Sequence, residues 1–432
     1  MIAESQSQGR RVLARVERRF LPLAFLCYVV AYIDRVNVGF VANVLQRDLG
    51  LSATQFGLAA GLFFIGYCVF EIPSNLILER VGARVWIARI MIGWGLVSMA
   101  TMFVRGPGSF MAARVVLGIA EAGFFPGMVL FFTYWFPASE RARTGALFMM
   151  ASPIAVIVGA PISTYLLRLD GALGLRGWQW LFLIEGLPAV IVGIIVLVAF
   201  TDRPERARWL DADERAWLAR TMADERARRQ AIGATSIRAS LADRQVWLLC
   251  GVFFLNSIAN YGMFLWLPKL IEDVTGAEGL RLAVMTAVPF AVALGAMIVV
   301  GRASDRSGHR TRYVAGCAAM TAAGLVVAVI FQRSDALLLV GLTIAQMSIR
   351  SLAGVFWAIP PQLLGGAAAA AGIGLINATG NIGGFVGPSL IGILHDATGS
   401  YSGSLIALAG VLLLEALLIL CVRVPRLIPD GT

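Results

Sequence analysis

LPLAFLCYVVAYIDRVNVGFVANVL, residues 21–45, is an apolar run long enough to cross a bilayer, yet it carries an acid and a base side by side at Asp34 and Arg35. A membrane helix needs about 20 predominantly apolar residues. A charge at its centre costs roughly 2.5–3.5 kcal/mol on insertion scales, so this pair must face protein or water rather than lipid. Intramembrane charges of this kind mark an ion or substrate pathway, the bland alternative being an internal salt bridge that only locks helix packing.

Comparable runs recur at 54–78, 86–104, 109–133, 143–167, 178–200, 245–270, 280–303, 312–331, 336–360, 370–394 and 402–422. An all-α polytopic membrane protein of twelve transmembrane helices is therefore expected. Composition agrees: of 432 residues, 58% are hydrophobic and 14% charged, and the mean hydropathy is +0.78. Soluble domains have about 45–50% apolar and about 25% charged residues. Arg10, Arg11, Arg15, Arg18 and Arg19 precede the first run as in a signal peptide. That run is too long, holds Asp34 and lacks a small-residue cleavage site, so it should stay as the first span.

A formal charge of +10 raises the question of nucleic acid. The basic residues, however, gather in alternate loops, at 79–89, 140–143, 201–244, 302–312 and 423–426. That is the pattern of cytoplasmic loops, and it places both termini in the cytoplasm with the lipid bilayer, not nucleic acid, as the large partner. Cys27, Cys68, Cys250, Cys317 and Cys421 all fall in apolar runs without close metal-type pairs, and only His309 and His395 could serve a metal site or a catalytic triad. No metal, no cofactor and no enzyme activity are expected.

The long polar segment 201–244 separates two sets of six runs, which divides the chain into 1–200, 201–244 and 245–432. Within the linker, Trp209, Leu210, Trp217, Leu218 and Met222 recur at near-helical spacing around a capping-type start at Asp211 to Glu214. An amphipathic helix tethering the halves is the expectation. An internal repeat supports the division. NLILERVGAR, 75–84, follows the second run and GRASDRSGHR, 301–310, follows the eighth. Glu79, Arg80, Gly82 and Arg84 thus correspond to Asp305, Arg306, Gly308 and Arg310. The acids would end helices, the glycines permit a tight turn, and the arginines bridge to neighbouring helices.

These paired loops resemble the GxxxDRxGRR signature of the major facilitator superfamily. The second copy differs at His309, and the first at Asn75 and Glu79. The resemblance implies two six-helix bundles, latched by these loops on the cytoplasmic side, that rock around a midplane site.

Further charges lie at that depth. The fourth run carries Arg114 and Glu121, seven residues or two turns apart on similar faces. Burial favours a protonated carboxyl and a neighbouring guanidinium an ionised one, so Asp34 and Glu121 are candidate proton carriers. The competing reading is permanent pairing of Asp34 with Arg114 or of Glu121 with Arg35. Arg35 offers a planar fork suited to a carboxylate. Tyr67, Ser152, Trp357, Asn377 and Asn381 can complete a substrate site, although each also suits ordinary helix packing. Arg350, in the tenth run, either binds a second carboxylate or pairs with Glu415.

A narrower resemblance, covering nearly the whole chain, is to the anion:cation symporter branch, in particular bacterial tartrate and hydroxyphenylacetate permease-like members. YIDRVNVGFV at Tyr32, GYCVFEIPSNLILERVGARVWIARIMIGWG at Gly66, GIAEAGFFPG at Gly118, WFPASERAR at Trp135, GWQWLFLIEGLPAV at Gly177 and GLINATGNIGGFVGP at Gly374 carry it. It implies that Asp34 and Glu121 take protons and Arg35 meets the substrate carboxylate. Tyr67, Trp357 and Asn377 become substrate contacts, and Arg114 matches an arginine that interacts with the carboxylates. The expectation is a monomeric, proton-coupled importer of a hydroxy acid, sugar acid or aromatic carboxylate in a bacterial inner membrane. A proton-driven efflux antiporter of the same fold and a non-transporting nutrient sensor are the rivals.

Overall fold

A computed structural model describes residues 2–231, 243–363 and 366–423. Residues 232–242 of the linker and Arg426 lie outside the described residues. All regular structure among the described residues is helical. Eleven helices are long and apolar enough to cross a membrane: α1 Gly9–Phe40, α2 Ala53–Val81, α3 Ala83–Phe103, α4 Pro107–Trp135, α5 Arg143–Leu169, α6 Gly177–Ala199, α7 Arg244–Thr275, α8 Gly279–Ser307, α9 Arg310–Ile330, α10 Asp335–Leu363 and, closing the chain, α12 Tyr401–Leu420. Between the last two lies α11, Gly366–Thr398, whose 33 residues include two asparagines and many glycines.

Three spans differ from the continuous helices expected, α5 by a break at Met150 and two others by larger interruptions. In α4 the helix stops at Glu121 and resumes at Phe124. Gly123 turns the chain at φ 85°, in direct contact with α2, where the Ser74 hydroxyl donates to the Ala122 carbonyl at 2.7 Å. A Cβ on Gly123 would fall 2.3 Å from Ser74 Oγ, so only glycine fits. Glu121 is therefore the last residue of a helix segment rather than the middle of one. In α10 the regular helix ends at Phe356, ahead of Pro360 and Pro361, which have no N–H to continue it. The first span also starts earlier than the apolar run suggests, and its helix ends at Phe40 before a short helix, Ala42–Leu49.

The helix contacts repeat with an offset of six. The close pairs α1–α5, α1–α6, α2–α4, α3–α4 and α3–α6 have counterparts in α7–α11, α7–α12, α8–α10, α9–α10 and α9–α12. Between the two sets, α2 packs on α11 and α5 on α8, which are again equivalent under that offset. At the α2–α11 contact a Cβ on Gly57 would lie 2.4 Å from the Pro388 carbonyl oxygen, so the backbones touch.

The two ends of the molecule differ. On the end that carries the start of α1 and the linker, the linker helix Ala212–Ala231 lies against the first set. Arg15 pairs with Asp211 at 3.2 Å and with Glu214, Arg141 pairs with Glu225, and Trp209 stacks on Trp135 at 5.7 Å. Leu210, Leu218 and Met222 are buried. This end is called the linker face below. Here Gly82 and Gly308 turn at φ 99° and 68°, the Arg84 amide donates to Asp202 at 2.8 Å, and Glu79, Arg80 and Arg306 are exposed. Arg310 pairs with Asp305 at 3.1 Å and donates to the Ala358 carbonyl in the α10 break at 2.6 Å.

On the opposite, far face the halves are sealed together. Lys269, buried on α7, donates to Asn43 of the first half and to Asp273 at 2.8 Å. Asn43 also donates to Asp273 at 2.7 Å, and Tyr401 donates to the same carboxylate at 2.6 Å. Asp396 at the end of α11 accepts the Ala53 and Thr54 amides, at 3.1 and 2.7 Å, and so caps the first turn of α2 from the other half.

Candidate functional site

A cavity of about 480 Å³ lies between the two halves. It reaches the linker face at Gly301, Arg302 and Asp305 of α8 and stops short of the far-face seal. The first half supplies Tyr28, Tyr32 and Arg35 from α1, Phe63, Phe64 and Tyr67 from α2, and Ser152 from α5. The second half supplies Asn256 and Tyr261 from α7, Arg350 and Trp357 from α10, and Asn377 and Asn381 from α11. Aromatic walls, a few polar groups and two guanidiniums are what this cavity offers a ligand.

Asp34 and Arg35 diverge because successive helical residues point about 100° apart. Arg35 turns into the cavity and Asp34 into the interior of the first half. The Arg35 guanidinium donates to Glu121 Oε1 from Nε at 2.8 Å and also from Nη2. It sits 5.3, 5.4 and 5.5 Å from the rings of Tyr32, Phe63 and Tyr67, an aromatic collar that fixes its plane. Of the two pairings weighed from sequence, Glu121 with Arg35 is the one present. Glu121 is positioned for it by the α4 break, which lets the helix end at the level of Arg35.

Asp34 has no ion-pair partner among the described residues. Its Oδ1 accepts from Ser98 of α3 and from Asn37, the latter at 3.3 Å, while Oδ2 is buried without a hydrogen bond. Arg114, 2% exposed, lies over the Phe63 ring at 5.1 Å, and its Nε and Nη1 have no partner. A buried charge without a partner is costly. Three charged groups with unused hydrogen-bonding capacity, Asp34, Glu121 and Arg114, thus stand on one side of Arg35.

Across the cavity, Arg350 donates at the limit of hydrogen-bonding distance, 3.5 Å, to Ser152 of the first half. Its Nε and Nη2 are free of partners, and Phe264 and Phe290 flank it at 5.1 and 5.2 Å. The alternative pairing of Arg350 with Glu415 is not made: Glu415 is fully buried on α12, away from the cavity lining. Trp357 lines the cavity from the α10 break and meets Phe253 edge-on at 4.8 Å.

Asn377 and Asn381 line the cavity, but their Nδ2 groups are turned back to Glu71 of α2 at 2.9 and 2.8 Å. Sequence reasoning passed over Glu71, although a carboxylate inside the second apolar run gives the same signal as Asp34. Glu185 in the sixth run was passed over likewise; it is buried and accepts from Ser163 at 2.7 Å. The cavity tyrosines Tyr28, Tyr32 and Tyr261 gave no sequence signal beyond aromaticity.

The family model described as Major Facilitator Superfamily matches residues 24–388. The chain is 48% identical to a "Putative tartrate transporter" of Agrobacterium vitis over 95% of this chain and 91% of that one. It is 39% identical to "Putative metabolite transport protein NicT" of Pseudomonas putida, covering 95% and 94%. It is 36% identical to a "Quinolone resistance transporter" of Acinetobacter baumannii, covering 94% of each. Among solved structures, a bacterial homologue of the human lysosomal transporter Spinster, in an inward-facing and occupied conformation, superimposes with a TM-score of 0.74 at 18% identity, covering 93% and 96%. Twelve-helix architecture, six-helix offset and family match agree, and the chain belongs to the major facilitator superfamily of membrane transporters.

Proposed function

We propose that the chain carries a small organic anion into the cytoplasm together with protons, by alternating access, with the linker face cytoplasmic. The observation that carries the reading is the pair of guanidiniums, one from each half, facing a common cavity, with Arg35 held by the carboxylate of Glu121. A substrate carboxylate and Glu121 compete for the same fork. Protonating Glu121 removes its charge and releases Arg35 to the substrate, so proton and anion load together. Asp34 and Arg114, buried behind this pair, form the second proton site. Arg350 takes a second carboxylate or another acceptor on the far side of the ligand, and bridging Arg35 to Arg350 draws the two halves together. The relatives named for tartrate and for metabolite transport favour an organic acid as cargo.

Energetics favour this coupling. Moving an anion inward against an inside-negative potential costs about 2.3 kcal/mol per charge per 100 mV, and a co-transported proton cancels that cost. The loops richest in arginine lie on the linker face, as they do for a cytoplasmic side.

The test is uptake of radiolabelled tartrate into proteoliposomes under an imposed proton gradient. Accumulation that follows an inward gradient and collapses with a protonophore is expected. Retained accumulation in Asp34→Asn and Glu121→Gln would refute the proton assignment. The relative named for quinolone resistance supports a second reading, efflux. In that case substrate would leave as protons enter, and the same vesicles loaded with substrate would reveal it.

A further inference from the structure

Glu71 lies behind the cavity wall, 8% exposed, on α2. Its Oε1 accepts from Asn377 Nδ2 at 2.9 Å and its Oε2 from Asn381 Nδ2 at 2.8 Å. The contact crosses from the first half to the second, and Glu71 itself is not part of the cavity lining, whereas both asparagines are. An ionised carboxylate only accepts hydrogen bonds, while an amide has a donating and an accepting end. Two acceptor oxygens facing two asparagines therefore fix both amides the same way round. One N–H of each amide is committed to Glu71, which turns each carbonyl oxygen away from that carboxylate and leaves it, beside the amide's second N–H, as the acceptor open to a ligand.

We infer that Glu71 is a positioning residue for specificity: it orients Asn377 and Asn381 as a pair of acceptors, so the site selects acids that carry hydroxyl donors. This rests on the organic-anion reading above and deepens it. Carboxylates of the ligand go to Arg35 and Arg350, and its hydroxyls go to the two amide oxygens. A ligand without hydroxyls leaves those oxygens facing it unpaired, and a desolvated acceptor without a donor is penalised. An amide at position 71 would change the pattern, because it must offer its own donor to one asparagine and so turn that amide round.

Tartrate and succinate separate these effects, since they share chain length and charge and differ in two hydroxyls. Competition against labelled tartrate in proteoliposomes, and thermal stabilisation of the purified protein in detergent, would be measured for the wild type, Glu71→Asp and Glu71→Gln. The wild type should prefer tartrate by roughly tenfold or more. Glu71→Gln should reduce that ratio towards unity, mainly through weaker tartrate binding, and Glu71→Asp should keep the preference. An unchanged ratio in Glu71→Gln, with both acids handled more slowly, would mean a structural clasp and overturn the inference. Stabilisation measurements give the ratio even for a variant that no longer transports. Equal handling of both acids by the wild type would overturn this inference while leaving organic-anion transport standing. Neither acid being bound or moved would remove the short-chain carboxylate cargo on which this inference rests.

Discussion

Glu121→Gln separates proton coupling from anion binding, because Glu121 and the incoming carboxylate need the same guanidinium. Arg35 makes two hydrogen bonds to Glu121 Oε1 and lines the cavity at the same time. On the proposed mechanism, binding requires that the glutamate give up the fork, by protonation in the wild type. One linked proton makes the apparent affinity rise about tenfold for each unit by which pH falls, until the carboxyl is protonated in the free protein as well. Each such unit is about 1.36 kcal/mol. The sign follows from the competition: alkaline pH ionises Glu121, restores the ion pair and weakens anion binding. Glutamine carries no charge at any pH, so in Glu121→Gln tartrate should bind at alkaline pH as well as the wild type does at acidic pH. The pH slope should fall by about one, leaving only what Asp34 contributes. Breaking a buried pair leaves Arg35 without its partner at a cost of about 3–5 kcal/mol, so the empty variant should also melt at lower temperature and regain stability when tartrate binds. Calorimetric titration of the purified protein across a pH series measures the affinity and its slope, and a thermal melt with and without tartrate measures the stability. An unchanged slope would show that the linked proton is not on Glu121. Weaker binding than the wild type at every pH would show that Glu121 supports the anion rather than competing with it.

Other expectations follow from particular contacts. Gly118→Ala places a Cβ 2.0 Å from the Phe63 carbonyl oxygen, which α2 and α4 can relieve only by separating about 1 Å or more. The variant should lose about 1–3 kcal/mol of stability, seen as a lower melting temperature, and should lose uptake because Glu121 lies three residues beyond. Arg350→Ala should weaken binding of dicarboxylates by about 10–100-fold and of monocarboxylates much less, as read by competition against labelled tartrate. Asp396→Ala removes the acceptor for two α2 amides and should cost the far-face seal about 1 kcal/mol. Thiol labelling of a cysteine placed at the buried Ser389, in a chain without its native cysteines, should then speed up. Arg15→Ala breaks a half-exposed contact to the linker helix, and its effect on stability should stay below about 1 kcal/mol.

The fold was legible because the bilayer allows few solutions. Apolar runs, alternating arginine-rich loops and the repeated loop after the second and eighth spans define two sets of six helices without any contact being known. Arg35, Asp34, Glu121, Arg114 and Arg350 were equally legible, since a charge inside an apolar run has to be explained. Which charge meets which was not. Asp34 and Arg35 are neighbours in sequence and face different compartments in space, and Glu121 reaches Arg35 because α4 breaks at Gly123, where the only sequence sign is GFFPG. Glu71 became meaningful once α11 stood opposite α2, a contact between residues some 300 positions apart. The far-face seal is also long-range. Asn43, Lys269, Asp273, Asp396 and Tyr401 are ordinary loop-edge residues singly, and they form a closure only as a group.

Lys269 has one more consequence. It is the only lysine in the chain, so apart from the amino terminus the protein holds one primary amine. In the closed seal that amine is 4% exposed and engaged by Asn43 and Asp273, out of reach of an acylating reagent. In the proposed alternating-access cycle, opening of the far face would pull Asn43 away from α7 and uncover it. Lys269 is therefore a native chemical reporter: the rate at which an impermeant acylating dye supplied to the far face modifies it should read the fraction of time that face is open, with no engineered label.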